Sequence, residues 1–392
     1  MLALLVVAAS ARPQPRRVAQ ATVFLDYAAV GALRTTLLFS SKELAPSHTP
    51  LLLGLLESAF GAGQIGGALV VGRLSDDFGR RALLLLCLCC SCVSYACAGA
   101  ALFARSALLL LLSRLPAGIS KQTTTTCRAI VCDSATPAQR SSELSMLYAC
   151  SALGYAAGPL AGGALTERHG AVATTIAAAA SFAIAAPAVV GALDETRPAP
   201  TASKGARWSV WRRPELRAAL LRFALPEAAL VMHTVVAQPL LAQHLGLSPM
   251  ELGRLSSVQG LAAAFFSTAW LPPLLGRGWL TEATAQLAAC ALVLVPSVYL
   301  AWRPSMAAVW LCLPPLALAV SLQRAVSPSV VSRAAPPDAQ GEALGALDAV
   351  SSLCRVVVPV CAGALATSHG AAAPYAAQAA IAGVAALLFL VS

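Results

Sequence analysis

Asp26 and Glu227 are carboxyl groups set inside long apolar runs. In such surroundings a carboxyl can exchange a proton near neutral pH, because burial disfavours its charged form. Cations share this setting: Arg34, Arg114, Lys121, Arg324 and Arg355 lie in apolar stretches, as do Gln122 and Asp348. A charge at the middle of a membrane span costs about 3 kcal/mol and marks a use. Two readings of the cations stand. They line a cavity with positive excess, which attracts an anionic or amphipathic small molecule, or they pair with the acids and hold the helices together. Arg114, Lys121 and Arg128 recur every seventh residue, which places them on one face of a helix. Arg128 and Arg222 fall near the ends of their runs, where long side chains reach the interface. His233 sits mid-run, where a lone histidine is more often packed and hydrogen-bonded than functional.

Other chemistries lack their residues. The chain has 12 cysteines, and five of them (Cys87, Cys89, Cys90, Cys92 and Cys97) share one apolar stretch. No pair has convincing ligand spacing, and cysteine packs well as a small hydrophobe. No metal and no cofactor are expected. No Gly-x-x-x-x-Gly-Lys-Ser/Thr loop is present to cradle a nucleotide, which argues against an ATP-driven pump. A membrane enzyme is the weakest reading.

The elements that carry these residues are spans. Of 392 residues, 58% are hydrophobic and 11% charged, and the mean hydropathy is +0.73. A soluble domain carries roughly twice that charge. Apolar stretches of crossing length fall from about 18–41 to about 371–391 and number twelve. They are far too long for barrel strands, so they are helices. The expected fold is an all-α membrane protein of twelve transmembrane helices. The net charge of +10 sits in short loops between these stretches, so it reports topology and not nucleic-acid binding. Most of the loop cations fall on the side of the two termini and of the connector Asp194–Pro214. Both termini are therefore expected to be cytoplasmic. The expected organisation is a tail over 1–17, a six-helix bundle over 18–193, a cytoplasmic linker over 194–216 and a second bundle over 217–392.

The second half repeats the first. Shifted by 200 positions, Pro159, Gly163, His169 and Gly170 meet Pro359, Gly363, His369 and Gly370. Shifted by 199, Pro50, Gly54 and Gly61 meet Pro249, Gly253 and Gly260. Asp26 and Glu227 are partners at a shift of 201. Parallel repeats with an even number of spans each are the pattern of two-fold pseudo-symmetric transporters.

Two motifs complete the picture. Gly72-Arg73-Leu74-Ser75-Asp76-Asp77-Phe78-Gly79-Arg80-Arg81 is a charged loop between the second and third spans. Asp76 can accept hydrogen bonds at helix ends, and Arg80 and Arg81 can reach Asp133 or Glu143, which would make a latch that fastens and releases. Gly154-x-x-x-Gly158-Pro159-x-x-Gly162-Gly163 combines a flat helix face with a bend. The loop, Arg114-Leu115-Pro116-Ala117-Gly118 and the Gly-Pro segment together resemble the major facilitator superfamily. Phe24-Leu25-Asp26, and the run Arg114-Leu115-Pro116-Ala117-Gly118-Ile119-Ser120-Lys121 followed by Arg128 and Asp133, resemble its tetracycline-antiporter-like branch, which includes major facilitator superfamily domain-containing proteins nine and ten. Arg34 and Thr35 depart from that branch, which usually has apolar residues and proline there.

The resemblance implies a secondary active transporter of a small organic solute working by alternating access. It implies coupling to protons with antiport favoured, and an organic anion or an amphipathic drug as solute. In this reading Asp26 and Glu227 carry protons, and Arg34, Arg114, Lys121, Gln122, Arg324, Asp348 and Arg355 line the cavity. Gly72, Asp76, Gly79, Arg80, Arg81 and Asp133 form the gate. Gly154, Gly158, Pro159, Gly162 and Gly163 bend the fifth span. Partners are the solute, protons and the bilayer, with no nucleic acid, and the chain is expected to act as a monomer. The alternative is a transporter-like sensor or scaffold that moves no solute.

Overall fold

The structure, a computed structural model, describes residues 14–136, 140–195, 213–277, 279–335 and 340–391. Side chains at 69–78, 140–142, 275–276, 332, 340–342 and 391 are outside that description. Most of the expected tail, most of the connector, and the side chains of Gly72 and Asp76 therefore lie outside the described residues.

The described elements are all helical. Helix α1 runs Pro15–Leu44, α2 Thr49–Phe78 and α3 Arg80–Phe103. Helix α4 comes in two pieces, Ala107–Ser120 and Thr123–Ser134, interrupted at Lys121 and Gln122. Helices α5 and α6 are the arms 140–169 and 171–192 of Arg140–Ala192, divided by the non-helical Gly170 at φ 82°. Helix α7 consists of Pro214–Met232, a π-helical turn His233–Ala237, and Gln238–His244. Helix α8 likewise joins Pro249–Phe265, a π-helical turn Phe266–Trp270, and Leu271–Gly276. Glu282–Trp302, Met306–Ala334, Gln340–His369 and Ala373–Val391 are α9 to α12. Among the described residues, nine stretches are long and apolar enough to cross a membrane, with α5 and α6 forming one of them.

Local chemistry explains the ends. Proline opens α1, α2 and α7, at positions where its missing N–H is no loss. Thr281 and Thr284 make a reciprocal capping box at the start of α9. Burial runs against the soluble pattern. Leu86, Val93, Phe103, Leu112 and Val295 are exposed, whereas Thr22, Asp26, Arg114 and Gln378 are buried. That is the arrangement expected where the outer solvent is hydrocarbon.

The chain divides into two compact units. One contains α1, α3 to α6, the part of α2 from Ala59 onward, and Leu247–Gly260 at the start of α8. The other contains α7, α9 to α12, the rest of α8, and Pro50–Ser58 at the start of α2. Small residues set the packing in both, as they must where van der Waals contact drives helix association. In the first unit the glycines of α5 climb α1 turn by turn. A Cβ on Gly154, Gly158 or Gly162 would overlap the backbone of Phe24, Ala28 or Ala32 respectively.

The repeat is visible in these contacts. In the first unit, a Cβ on Gly253 would meet the carbonyl of Pro159, and one on Gly163 that of Pro249. In the second unit, Gly54 stands in the same relation to Pro359, and Gly363 to Pro50. All four residues of one set are repeat partners of the four in the other.

Candidate functional site

Three helices of the first unit bring its charges together. The α5 glycines draw α1 close, which fixes the height of Asp26 and Arg34. Gly63 and Gly67 of α2 press equally closely on Gly118 and Ile119 of α4, just before Lys121. Pro116 within α4 removes a backbone donor, and the helix breaks at Lys121 and Gln122. The lysine therefore leaves α4 at a discontinuity and reaches α1.

There it forms an ion pair with Asp26. The side chains of Lys121 and Asp26 are only 8% and 2% exposed. Lys121 Nζ also lies 4.1 Å from the centre of the Tyr27 ring, within cation–π range. Tyr27 stands edge-on to Tyr155 of α5, with centroids 6.4 Å apart. Arg34 donates to the Tyr155 hydroxyl. Two cations and one carboxylate are thus linked through a pair of tyrosines. Gln122 donates to the Gln64 carbonyl of α2 at 3.3 Å, tying the break in α4 to its neighbour. Two further α4 cations rest on aromatic rings. The guanidinium of the buried Arg114 lies 4.6 Å from the centre of Phe60, and that of Arg128 lies 5.1 Å from Tyr148. Lys121 falls at the break between them, so each of the three finds a ring on a different helix.

The charged loop leads to a second cluster. Arg80 Nε meets Asp133 at 3.2 Å. Arg81 donates to the Val190 carbonyl at 2.5 Å. Glu143 instead receives Arg16 at 3.2 Å and Gln20 at 2.9 Å. The residue that organises the loop is Glu195. Its carboxylate accepts the backbone N–H of Arg80 at 2.8 Å and of Arg81 at 3.2 Å. It thereby caps the positive end of α3. Gly79 is at φ 90°, and a Cβ there would come 2.5 Å from Glu195 Oε2, so the glycine makes room for the cap.

In the second unit, Glu227 accepts a hydrogen bond from Ser351 at 2.6 Å. His233, in the π-helical turn, is buried with its ring 6.0 Å from that of Tyr375. Arg324, Asp348 and Arg355 are exposed, unlike the buried charges of the first unit. No group of three His, Cys, Asp or Glu side chains among the described residues could hold a metal ion.

Sequence reasoning passes over Tyr27, Tyr155, Phe60 and Glu195. The two tyrosines carry a signal, since they adjoin Asp26 and Gly154, each conspicuous in its own right. Glu195 carries none, because 115 positions separate it from Arg80.

Known proteins resemble this chain throughout. A family profile described as Major Facilitator Superfamily matches residues 21–313. Human solute carrier family 67 member A1 is 27% identical over 377 residues, spanning 89% of this chain and 87% of that protein. The class C tetracycline resistance protein of Escherichia coli is 31% identical over 147 residues, 37% of this chain and 36% of that protein. The crystal structure of the human organic anion transporter MFSD10 (TETRAN) superposes with a TM-score of 0.70 at 24% identity, covering 96% of this chain and 99% of that one.

Proposed function

The chain belongs to the major facilitator superfamily of membrane transporters, and from that premise we propose that it moves a small organic solute by alternating access, driven by protons. It is an integral multi-pass membrane protein and not an enzyme. The observation that carries the proposal is the buried pair of Asp26 and Lys121 at the break in α4. A structural ion pair needs no helix break and no aromatic walls. A solute site benefits from both, because broken helices offer polar groups inside the membrane and tyrosines offer flat apolar contact with a polar edge.

Organic anions and amphipathic compounds are the favoured solutes. Lys121, Arg34 and Arg114 outnumber Asp26 among the buried and half-buried charges of this unit's core, and a structural relative is an organic anion transporter. The Gly154–Gly163 segment, of the form found in proton antiporters, supports exchange of solute for protons. Glu227 is the second proton carrier, and Gln122, Arg324, Asp348 and Arg355 are the remaining cavity residues. The cluster of Gly79, Arg80, Arg81, Asp133 and Glu195 is the cytoplasmic latch, with Gly72 and Asp76 in the same loop. Two six-helix bundles, cytoplasmic termini and a monomeric chain complete the reading.

The test is flux in proteoliposomes. Labelled organic anions and amphipathic cations should accumulate with a pH gradient and much less without one. Asp26→Asn should abolish the dependence on the gradient. Uptake that ignores the gradient in the wild type would remove proton coupling, and binding without flux would make the protein a sensor.

A further inference from the structure

Gln378 of α12 is 0% exposed, and neither its Nε2 nor its Oε1 has a hydrogen-bond partner among the described residues. A buried amide left idle is costly, and native cores provide for such groups. The turns on either side locate it. Tyr375 and Ala382 lie three and four residues away on the same face of α12. Tyr375 packs with Ala237 of α7, Leu300 of α9 and Cys312 of α10. Ala382 packs with Ala229, Val293 and Ala319 of the same three helices. Gln378 therefore sits in the layer between, enclosed by α7, α9 and α10.

Each of these helices interrupts its hydrogen-bond ladder at that layer. In α7 the Gln238 N–H turns back to the His233 carbonyl, and Pro239 has no N–H to give, so the Thr234 carbonyl gets no donor from its own helix. Pro296 inside α9 and Pro315 inside α10 leave the carbonyls of Leu292 and Leu311 in the same position. Helix carbonyls point toward the C-terminal end, so both open into the layer. The Ser297 hydroxyl is spent on the Val293 carbonyl. The first unit has neither half of this arrangement. The repeat partner of Gln378 at a shift of 200 is Ala178, and α3, like α1 past its first residue, contains no proline. The amide occurs where the ladders are broken.

We propose that Gln378 anchors an internal water site in the second unit. The ligand is water, about one or two molecules. Each accepts from the amide Nε2–H and donates to Oε1 or to a carbonyl freed by Pro239, Pro296 or Pro315, which gives it the polar partners that a buried water takes. The site is closed to solute, because Gln378 and the neighbouring Tyr375 are buried on every side. It stands apart from the transport reading and belongs equally to a protein that moves no solute. Its water supplies the partners that three backbones and one amide lack, and so joins α7, α9, α10 and α12 at one level.

The experiment is X-ray hydroxyl-radical footprinting of the purified full-length protein in detergent. The radicals form from water itself, so a side chain shut off from bulk solvent is oxidised quickly only beside a bound water. Tyr375 and Tyr95 are both buried, at 1% and 4% exposure, and serve as reporter and reference. Tyr375 should be oxidised severalfold faster than Tyr95. That comparison is made on the wild type and needs no variant to fold. Equal or slower oxidation of Tyr375 would overturn the inference. Gln378→Leu gives a second reading with a definite sign. Loss of the bound water should lower the thermal midpoint and bring Tyr375 down to the rate of Tyr95. A midpoint above that of the wild type would mean that the amide had no partner at all, and it would overturn the inference as well.

Discussion

Pro159 receives Gly253 in one unit as Pro359 receives Gly54 in the other, yet the acids these frames carry have different partners. Asp26 meets the ammonium of Lys121 across a helix break. Its repeat partner Glu227 meets the hydroxyl of Ser351. At the position equivalent to Lys121 the second half has Ser321, in an unbroken α10, whose hydroxyl reaches the carbonyls of Ala263 and Ala317. Duplication preserved the backbone contacts, where any added atom collides, and left the polar core free to diverge. The first half kept a charge pair at a helix break. The second kept a carboxyl held by a hydroxyl.

The largest effect that would test this contrast comes from Lys121. Lys121→Met leaves the Asp26 carboxylate buried without its cation, a loss of about 3–5 kcal/mol. Solute flux should drop more than a hundredfold and the thermal midpoint should fall. Adding Asp26→Asn should restore much of the midpoint and none of the flux. If Ser321→Ala did equal damage to flux, the division of labour between the halves would be wrong. Next in size is the shared frame. Gly163→Val and Gly363→Val should each cost about 1–3 kcal/mol through overpacking, and thermal unfolding should find the two losses alike. A large inequality would mean that the repeat contacts are not equivalent.

Smaller again is Glu227→Gln. The amide still accepts from Ser351, so stability should change by less than about 1 kcal/mol, and gradient-driven flux should stay within severalfold of wild type. Loss of proton dependence there would make the second half an equal partner in coupling. Glu195→Gln should have the least effect on binding. It weakens the cap on α3 by about 1 kcal/mol and should alter the maximal rate of flux more than the apparent affinity.

Hydrophobic runs exceed helical noise when they reach crossing length, so the all-helical class, the spans and the repeat can be read directly from the amino-acid sequence. Asp26 and Lys121 stand out there because a charge in an apolar run is conspicuous. Their pairing is not legible in the same way, since 95 positions separate them and only the glycine contacts of α2 and α5 bring the helices into register. The seven-residue spacing of Arg114, Lys121 and Arg128 suggests one continuous face. Pro116 and the polar run Gln122–Thr126 are the signs that the helix does not stay continuous. The π-helical turns of α7 and α8 leave no mark in composition, because an extra residue in a turn does not alter which residue types are used.

The interruption of α4 also has a mechanical side. Thr123 and Thr126 return their hydroxyls to the carbonyls of Ser120 and Gln122, and Thr125 leans on the Gln122 amide. Peptide groups that would otherwise call for outside solvation are served by side chains travelling with them. A break supplied from within in this way can stand inside hydrocarbon without drawing in water, and Lys121 sits at it.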